Sequence, residues 1–279
     1  MQNLFNLGLV ISVLITSLLV VLISIFLLYF SAPLIFGGEF KEFFTLEWDP
    51  LNSFYGLMPM VIGTASIASL ATLFAIVSSF SFAVLILMFL PKSVASFLEK
   101  FLYFLSGVPT VLYAFVALFL LIPFANDVLD GKGLSILSAS FVLSFVIFPT
   151  ISIFLLNSFK QVAKKSLFAA KSLGATKEDL FFNLILKSSK KGVLSAIIFG
   201  FARAVGDTMV ALMIAGNSLK IPNSLLDSAR TLTAHIALIN ANDYESTAFK
   251  ALFLSGLLLF LFSFATVAIL RILTRSKSV

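Results

Sequence analysis

Apolar residues fill six long stretches of the chain, and the segments between them hold nearly all of its charge. A bilayer core about 30 Å thick needs roughly 20 apolar residues per helix. The stretches are Leu7–Pro33, Met58–Leu90, Lys100–Phe124, Leu134–Asn157, Gly192–Asn217 and Thr247–Leu273, and each is predicted to be a membrane-spanning helix. The second is long enough to tilt or to begin at the interface. The expected fold class is all-α and polytopic.

Composition agrees with that pattern. Of 279 residues, 60% are hydrophobic and 11% charged, against about 25% charged in a soluble domain. The bilayer is the natural solvent for such a chain. It has no cysteine and one histidine, His235. Neither a disulfide framework nor a thiolate or histidine metal site is expected, and no cofactor is implied. The first apolar stretch continues to about Phe36. It is too long for a signal-peptide core, no basic residue precedes it, and it reads as a retained span.

Charge orients the chain. The segments near 91–100 and 158–191 and the C-terminal tail share one side and hold thirteen basic residues, against the three acids Glu99, Glu178 and Asp179. The other side holds Lys41, Lys132, Lys220, Arg230 and Lys250 against nine acids. Cytoplasmic loops carry the excess of Lys and Arg, so both termini are expected in the cytoplasm. The outer segment 35–58 mixes acids with Trp48 and Tyr55, which suit the membrane interface. The inner segment 158–191 is rich in lysine. Gly174 there would allow a turn between two short helices, and Thr176 with Asp179 fits a capping box in which Asp replaces the usual Glu or Gln.

Arg203 and Asp207 lie within FARAVGDTM (201–209), in the middle of the fifth stretch. Each costs about 2.5–3.5 kcal/mol to insert at that depth. Their i,i+4 spacing would put both on one helix face, within reach of each other. A salt bridge that fixes helix packing is one reading. The other is an anion path, because a guanidinium presents a planar fork of donors matched to phosphate or carboxylate oxygens. On that reading Asp207 holds Arg203 in the empty state and competes with an entering anion. Thr64, Thr110 and Thr208 are further polar candidates. Pro109 and Pro149 interrupt two stretches, each followed by a threonine, and favour kinks. Gly192, Ala196, Gly200 and Ala204 form a small-residue stripe suited to close helix packing. His235 reads as a surface or packing residue of the outer loop. No G-x-x-x-x-G-K-[ST] phosphate loop occurs, so any ATP must be bound by another chain.

The inner loop FAAKSLGATKEDLFFNLILK, Phe168 to Lys187, resembles the loop by which permeases of ATP-binding-cassette importers dock on their ATPase subunits. Ala169, Ala170, Gly174, Leu184 and Leu186 match that pattern. Phe168 stands where the family usually has Glu, and Lys187 where it has Pro. A closer resemblance is to phosphate permeases of this class, in particular the C-type of their two paired subunits. It rests on Trp48-Asp-Pro50, Tyr55-Gly56, Pro59, Gly63-Thr64, Gly107-Val-Pro109-Thr110-Val-Leu-Tyr113, Phe148-Pro149-Thr150, Arg203-Ala-Val-Gly206-Asp207-Thr208-Met209 and Ala215-Gly216-Asn217. The family usually carries Glu where Asp207 stands.

The resemblance implies a type I importer permease with six transmembrane helices in the cytoplasmic membrane of a prokaryote. Residues 1–57 would hold the first helix and an outer segment. Residues 58–279 would hold a core of five helices, with a docking loop at about 158–191. The partners implied are a sister permease, two ATP-binding subunits and an external phosphate-binding protein, with no enzymatic activity in this chain itself. The anion path would comprise Arg203, Asp207, Thr208, Thr64 and Thr110. ATPase docking would use Phe168, Ala169, Ala170, Gly174, Ala175, Thr176, Glu178 and Leu186. Permeases for tungstate or molybdate are neighbours of this class. An ATP-independent channel or secondary transporter, or a structural membrane protein, is a different one.

Overall fold

The structure, a computed structural model, describes residues 2–37, 39–129, 131–172, 174–239 and 246–274. Helix α1 spans Gln2–Phe36. A 3-10 turn over Glu39–Phe44 and a two-stranded hairpin, β1 (Trp48–Asp49) with β2 (Phe54–Tyr55), follow it. Helix α2 spans Met58–Val84 and ends in a π turn, Leu85–Phe89. Then come α3 (Lys92–Ser106), α4 (Thr110–Val128) and α5 (Ile136–Ser172). A helical run over 177–188 comprises α6 (Lys177–Asp179), a second π turn (Leu180–Ile185) and α7 (Leu186–Ser188). The chain continues through α8 (Lys190–Gly206), α9 (Met209–Ile214), α10 (Leu232–Leu238) and α11 (Thr247–Thr274).

Two ends of the bundle are distinguished by chemistry. The hairpin and α10 mark one. The lysine-rich run 177–191 marks the other.

Among the described residues, five helices are long and apolar enough to cross a membrane: Asn6–Phe36, Met58–Phe89, Thr110–Val128, Ile136–Lys164 and Thr247–Leu273. Three expectations change. The stretch 192–217 is not one helix; it breaks between α8 and α9 at Asp207 and Thr208. The stretch 100–124 divides at Gly107–Pro109, where α3 ends and Pro109 starts α4, so Pro109 begins a helix rather than kinking one. The fourth stretch runs on: α5 continues through the lysines to Ser172, so no separate short helix precedes Gly174.

In lipid there is no hydrophobic drive between helices, so close van der Waals contact and interhelical hydrogen bonds must hold them together. Helix α2 meets this need with a face of small buried residues, Thr64, Ala68, Ala71, Thr72, Ala75, Ser79 and Ala83. That face packs on α5, whose Leu143, Ile147, Ile151 and Leu155 are almost fully enclosed. Ser79 donates to the Phe148 carbonyl (3.1 Å) and Ser140 to that of Ile67 (3.3 Å), tying the two helices. The small-residue stripe of α8 also faces α5. A Cβ on Gly192 would meet Ser158 Oγ at 1.8 Å, and one on Gly200 would meet Ile151 Cδ1 at 2.4 Å.

Helix α1 is exposed along nearly its whole length and joins the bundle through α11. Phe26 and Phe30 pack on Phe253 with ring centroids 5.4 and 4.7 Å apart. Three of its hydroxyls bond back to the preceding turn: Ser12 to Gly8 (2.9 Å), Thr16 to Ser12 (2.8 Å) and Ser24 to Val20 (2.7 Å). That spares lipid-facing polar groups an unsatisfied donor.

Candidate functional site

The break between α8 and α9 creates the site. Asp207 leaves α8 in an extended conformation, with φ −75° and ψ 125°. Its Oδ1 accepts the backbone N–H of Val210 at 2.9 Å, and so caps the first turn of α9. Asp is among the best residues for satisfying an orphan N–H at a helix start, so Gly206-Asp207-Thr208 stops one helix and starts the next. The Asp207 carbonyl, freed from helical bonding, accepts from the Thr233 hydroxyl at 3.0 Å. Thr233 and Thr231 hydroxyls are 2.9 Å apart, and Thr231 caps α10 through Ala234 N–H at 3.1 Å. The first turn of α10 thus fixes the break.

The expected salt bridge between Arg203 and Asp207 is not made. Among the described residues, the ion pair formed is Lys160 with Glu99 at the lysine-rich end. Asp207 keeps its i,i+4 place near Arg203, but its carboxylate turns to the Val210 N–H across the break. The Arg203 guanidinium instead donates through Nη1 to the Thr150 hydroxyl, on the residue after Pro149 in α5. Thr110, in the first turn of α4, presents its hydroxyl to the Asp207 carboxylate, which also feels the Arg203 charge. Tyr113, one turn further along α4, feels that charge too, and its hydroxyl donates to the Leu105 carbonyl at 3.2 Å. A cation, a carboxylate and three hydroxyl side chains from α4, α5 and the α8–α9 break therefore share one region. Arg203, Asp207, Thr110, Thr150 and Thr208 are all partly exposed within this single chain.

Of the expected path residues, the structure brings Arg203, Asp207 and Thr110 together, with Thr208 beside them. Thr64 is elsewhere. It is 5% exposed, donates to the Met60 carbonyl (2.7 Å) and accepts from Leu232 N–H (2.9 Å). It joins α2 to α10, where a Cβ on neighbouring Gly63 would lie 2.4 Å from the Arg230 carbonyl oxygen. Thr150 and Tyr113 are members that spacing along the chain does not reveal. The Pro-Thr step at 149–150 is the sequence signal for the first.

The lysine-rich end holds the segment expected to dock on an ATPase. Phe168, Ala169 and Ala170 fall in the last turns of α5, and their side chains lie outside what is described. Gly174 has φ +74°, a left-handed conformation suited to glycine, and makes the turn. Thr176 then caps the run: its Oγ1 accepts Asp179 N–H at 3.1 Å and lies 2.7 Å from Asp179 Oδ2. Glu178, Asp179 and Phe182 are exposed, while Leu180, Phe181 and Ile185 are buried against the bundle. Ala175 and Leu186 are half-buried.

At the hairpin end, His235 is fully buried and lies edge-on to Trp48, with ring centroids 4.3 Å apart. This corrects a surface placement and supports a packing role. Neither ring nitrogen has a hydrogen-bond partner among the described residues. Burial first, and then the Arg230 charge, push its pKa down to about 4.

Residues 75–279 match the family described as "Binding-protein-dependent transport system inner membrane component". The chain belongs to this family. As such an inner membrane component, it is a multi-pass protein of a prokaryotic inner membrane and works with ATP-binding subunits and a substrate-binding protein. It is similar to "Phosphate transport system permease protein PstC" of Xylella fastidiosa (strain 9a5c), 31% identical, covering 83% of this chain and 77% of that one. It is also similar to "Probable ABC transporter permease protein YqgH" of Bacillus subtilis (strain 168), 30% identical over 85% and 79%. Among solved structures, a chain of the MetNI methionine ABC transporter in an inward facing conformation superimposes with a TM-score of 0.60 at 18% identity. That match covers 78% of this inner membrane component and 96% of the other chain, and it supports the importer-permease fold.

Proposed function

We propose that this chain is a membrane-spanning permease subunit of an ATP-driven importer that carries inorganic phosphate inward across the cytoplasmic membrane. The partner of Arg203 supports this reading. A guanidinium in a chain of membrane helices is held by a neutral hydroxyl, Thr150, while the nearest carboxylate is occupied as a helix cap. A neutral partner is readily displaced by a dianion that offers bidentate, charge-assisted bonds. Relatives named as phosphate permeases, matching over most of their length, supply the substrate.

The anion path consists of Arg203, Asp207, Thr110 and Thr208, with Thr150 as the group that holds Arg203 between transport events. A polar cluster of this kind is costly against lipid. A sister permease covers it, forming a heterodimer with the path between the subunits. The run 177–188 seats in a cleft of an ATP-binding subunit, with exposed Phe182 as its apolar anchor. ATP is hydrolysed on those partner subunits. Residues 1–57 form an added helix and outer segment beside the core, 58–279, and the lysine-rich end faces the cytoplasm.

The test is reconstitution in proteoliposomes with the sister permease, two ATP-binding subunits and the binding protein. Uptake of labelled phosphate should require ATP and compete poorly with tungstate or molybdate. Preferential uptake of either metal oxyanion would reassign the substrate. Uptake without ATP would overturn the importer reading.

A further inference from the structure

The segment that leads into α10 holds α9 at three points. The Ala229 N–H donates to the Ala215 carbonyl (2.9 Å), just past the end of α9. The Arg230 Nε–H donates to the Asn217 carbonyl (3.1 Å). The Thr233 hydroxyl donates to the Asp207 carbonyl (3.0 Å), just before the start of α9. This last contact ends a directed chain, because a hydroxyl has one proton to give. Thr233 gives its proton to Asp207, so it accepts that of Thr231 at 2.9 Å, and Thr231 accepts the Ala234 N–H at 3.1 Å. Helix α2 stands behind the chain: Thr64 accepts the Leu232 N–H (2.9 Å) and donates to the Met60 carbonyl (2.7 Å). Thr64, Thr231 and Thr233 are all buried.

Resting on the anion path proposed above, we infer that Thr233 is a positioning residue of that path: by holding the Asp207 carbonyl outside the helix, it keeps the Asp207 carboxylate off Arg203. No proline falls within 192–217, so a continuous helix there is open to the chain. In that helix the Ala211 N–H would bond to the Asp207 carbonyl and the Val210 N–H to the Gly206 carbonyl, the ordinary four-residue pattern. Asp207 Oδ1 would then lose the N–H that it caps across the break. The charge nearest to hand is that of Arg203, four residues back on the same face. An ion pair formed there would compete with the anion for the guanidinium. In the broken form Arg203 stays with the neutral Thr150 hydroxyl instead. That form leaves the Asp207 carbonyl without a helical donor, which a bilayer cannot replace. Thr233 supplies the donor, and Thr64 fixes the turn that carries it.

The experiment measures the maximal rate of ATP-dependent phosphate uptake by the reconstituted complex. Thr233→Val keeps the shape of the side chain and removes its hydroxyl, whereas Thr233→Ser keeps the hydroxyl. Both are made in the wild-type chain and in Asp207→Asn, which can cap α9 but cannot form an ion pair. In the wild-type chain Thr233→Val should slow uptake at least about fivefold, the lower end of what a buried carbonyl left without a donor costs. Thr233→Ser should transport like the wild type. In Asp207→Asn, Thr233→Val should slow uptake no further. A merely structural loss would slow both backgrounds alike. Equal slowing in the two, or none in the wild-type chain, would overturn the inference. Should Thr233→Val not assemble, Thr64→Val, which removes the acceptor for Leu232, decides by the same comparison. Failure of the wild-type complex to take up phosphate at all would instead overturn the function proposed above.

Discussion

Asp207 has two roles that can be separated by choosing its replacement. Its Oδ1 caps α9 through Val210 N–H at 2.9 Å, and its negative charge acts on Arg203. Asn offers the same acceptor and caps helices about as well as Asp, whereas Ala loses the cap at a cost of about 1 kcal/mol. For a chain of this size that is about 2–4 °C in melting temperature. Asp207→Ala should therefore melt about that much earlier in detergent, followed by intrinsic fluorescence, while Asp207→Asn should melt with the wild type. The charge is lost in both. Without it Arg203 attracts an anion more strongly, by about 1–2 kcal/mol at a partly screened site, or five- to thirtyfold in affinity. Uptake by Asp207→Asn should show a lower KM for phosphate and a lower maximal rate, because release is slowed. An Asn variant that melts as early as the Ala variant would refute the capping argument. An Asn variant with wild-type KM would refute the electrostatic one.

Other predictions follow from packing and burial. Gly63→Ala would drive a methyl against the Arg230 carbonyl oxygen, a backbone atom that cannot move alone; it should destabilise the protein by about 1–3 kcal/mol, seen as a lower melting temperature and poor recovery from the membrane. His235, with its pKa pushed down to about 4, stays neutral in the fold while the unfolded chain takes up a proton below about pH 6.5. Stability is therefore complete above pH 6.5 and falls as pH drops toward 4, by on the order of 3 kcal/mol. His235→Gln should flatten the dependence of melting temperature on pH between 7 and 4.5; an unchanged slope would assign that dependence to other groups.

Apolar length is a direct consequence of bilayer thickness, so α1, α2, α5 and α11 could be located from sequence to within a few residues at most ends. What a run of apolar residues conceals is whether its helix continues. Gly206-Asp207-Thr208 carries a stop and a cap, but these three residues sit inside a stretch apolar enough to read as continuous. The break turns the Asp207 carboxylate to the Val210 N–H, so i,i+4 spacing still places it near Arg203 without forming the salt bridge. The actual partner of Arg203 is Thr150, 53 residues earlier, and no periodicity connects positions on different helices. Gly174 and the Thr176 cap were legible because turns and caps are local. The burial of His235 was not, because it depends on a hairpin contributed by Trp48, far away in the chain.

On the function proposed above, the Arg203 guanidinium, released from Thr150, carries the anion through the membrane. ATP-dependent uptake of labelled phosphate by the complete reconstituted complex with Arg203→Gln measures it most directly. Assembly and the melting temperature should stay close to wild type, because Gln can still bond to Thr150, while uptake falls by at least about a hundredfold, the loss of a charge-assisted hydrogen bond and more. Wild-type uptake by that variant would contradict it.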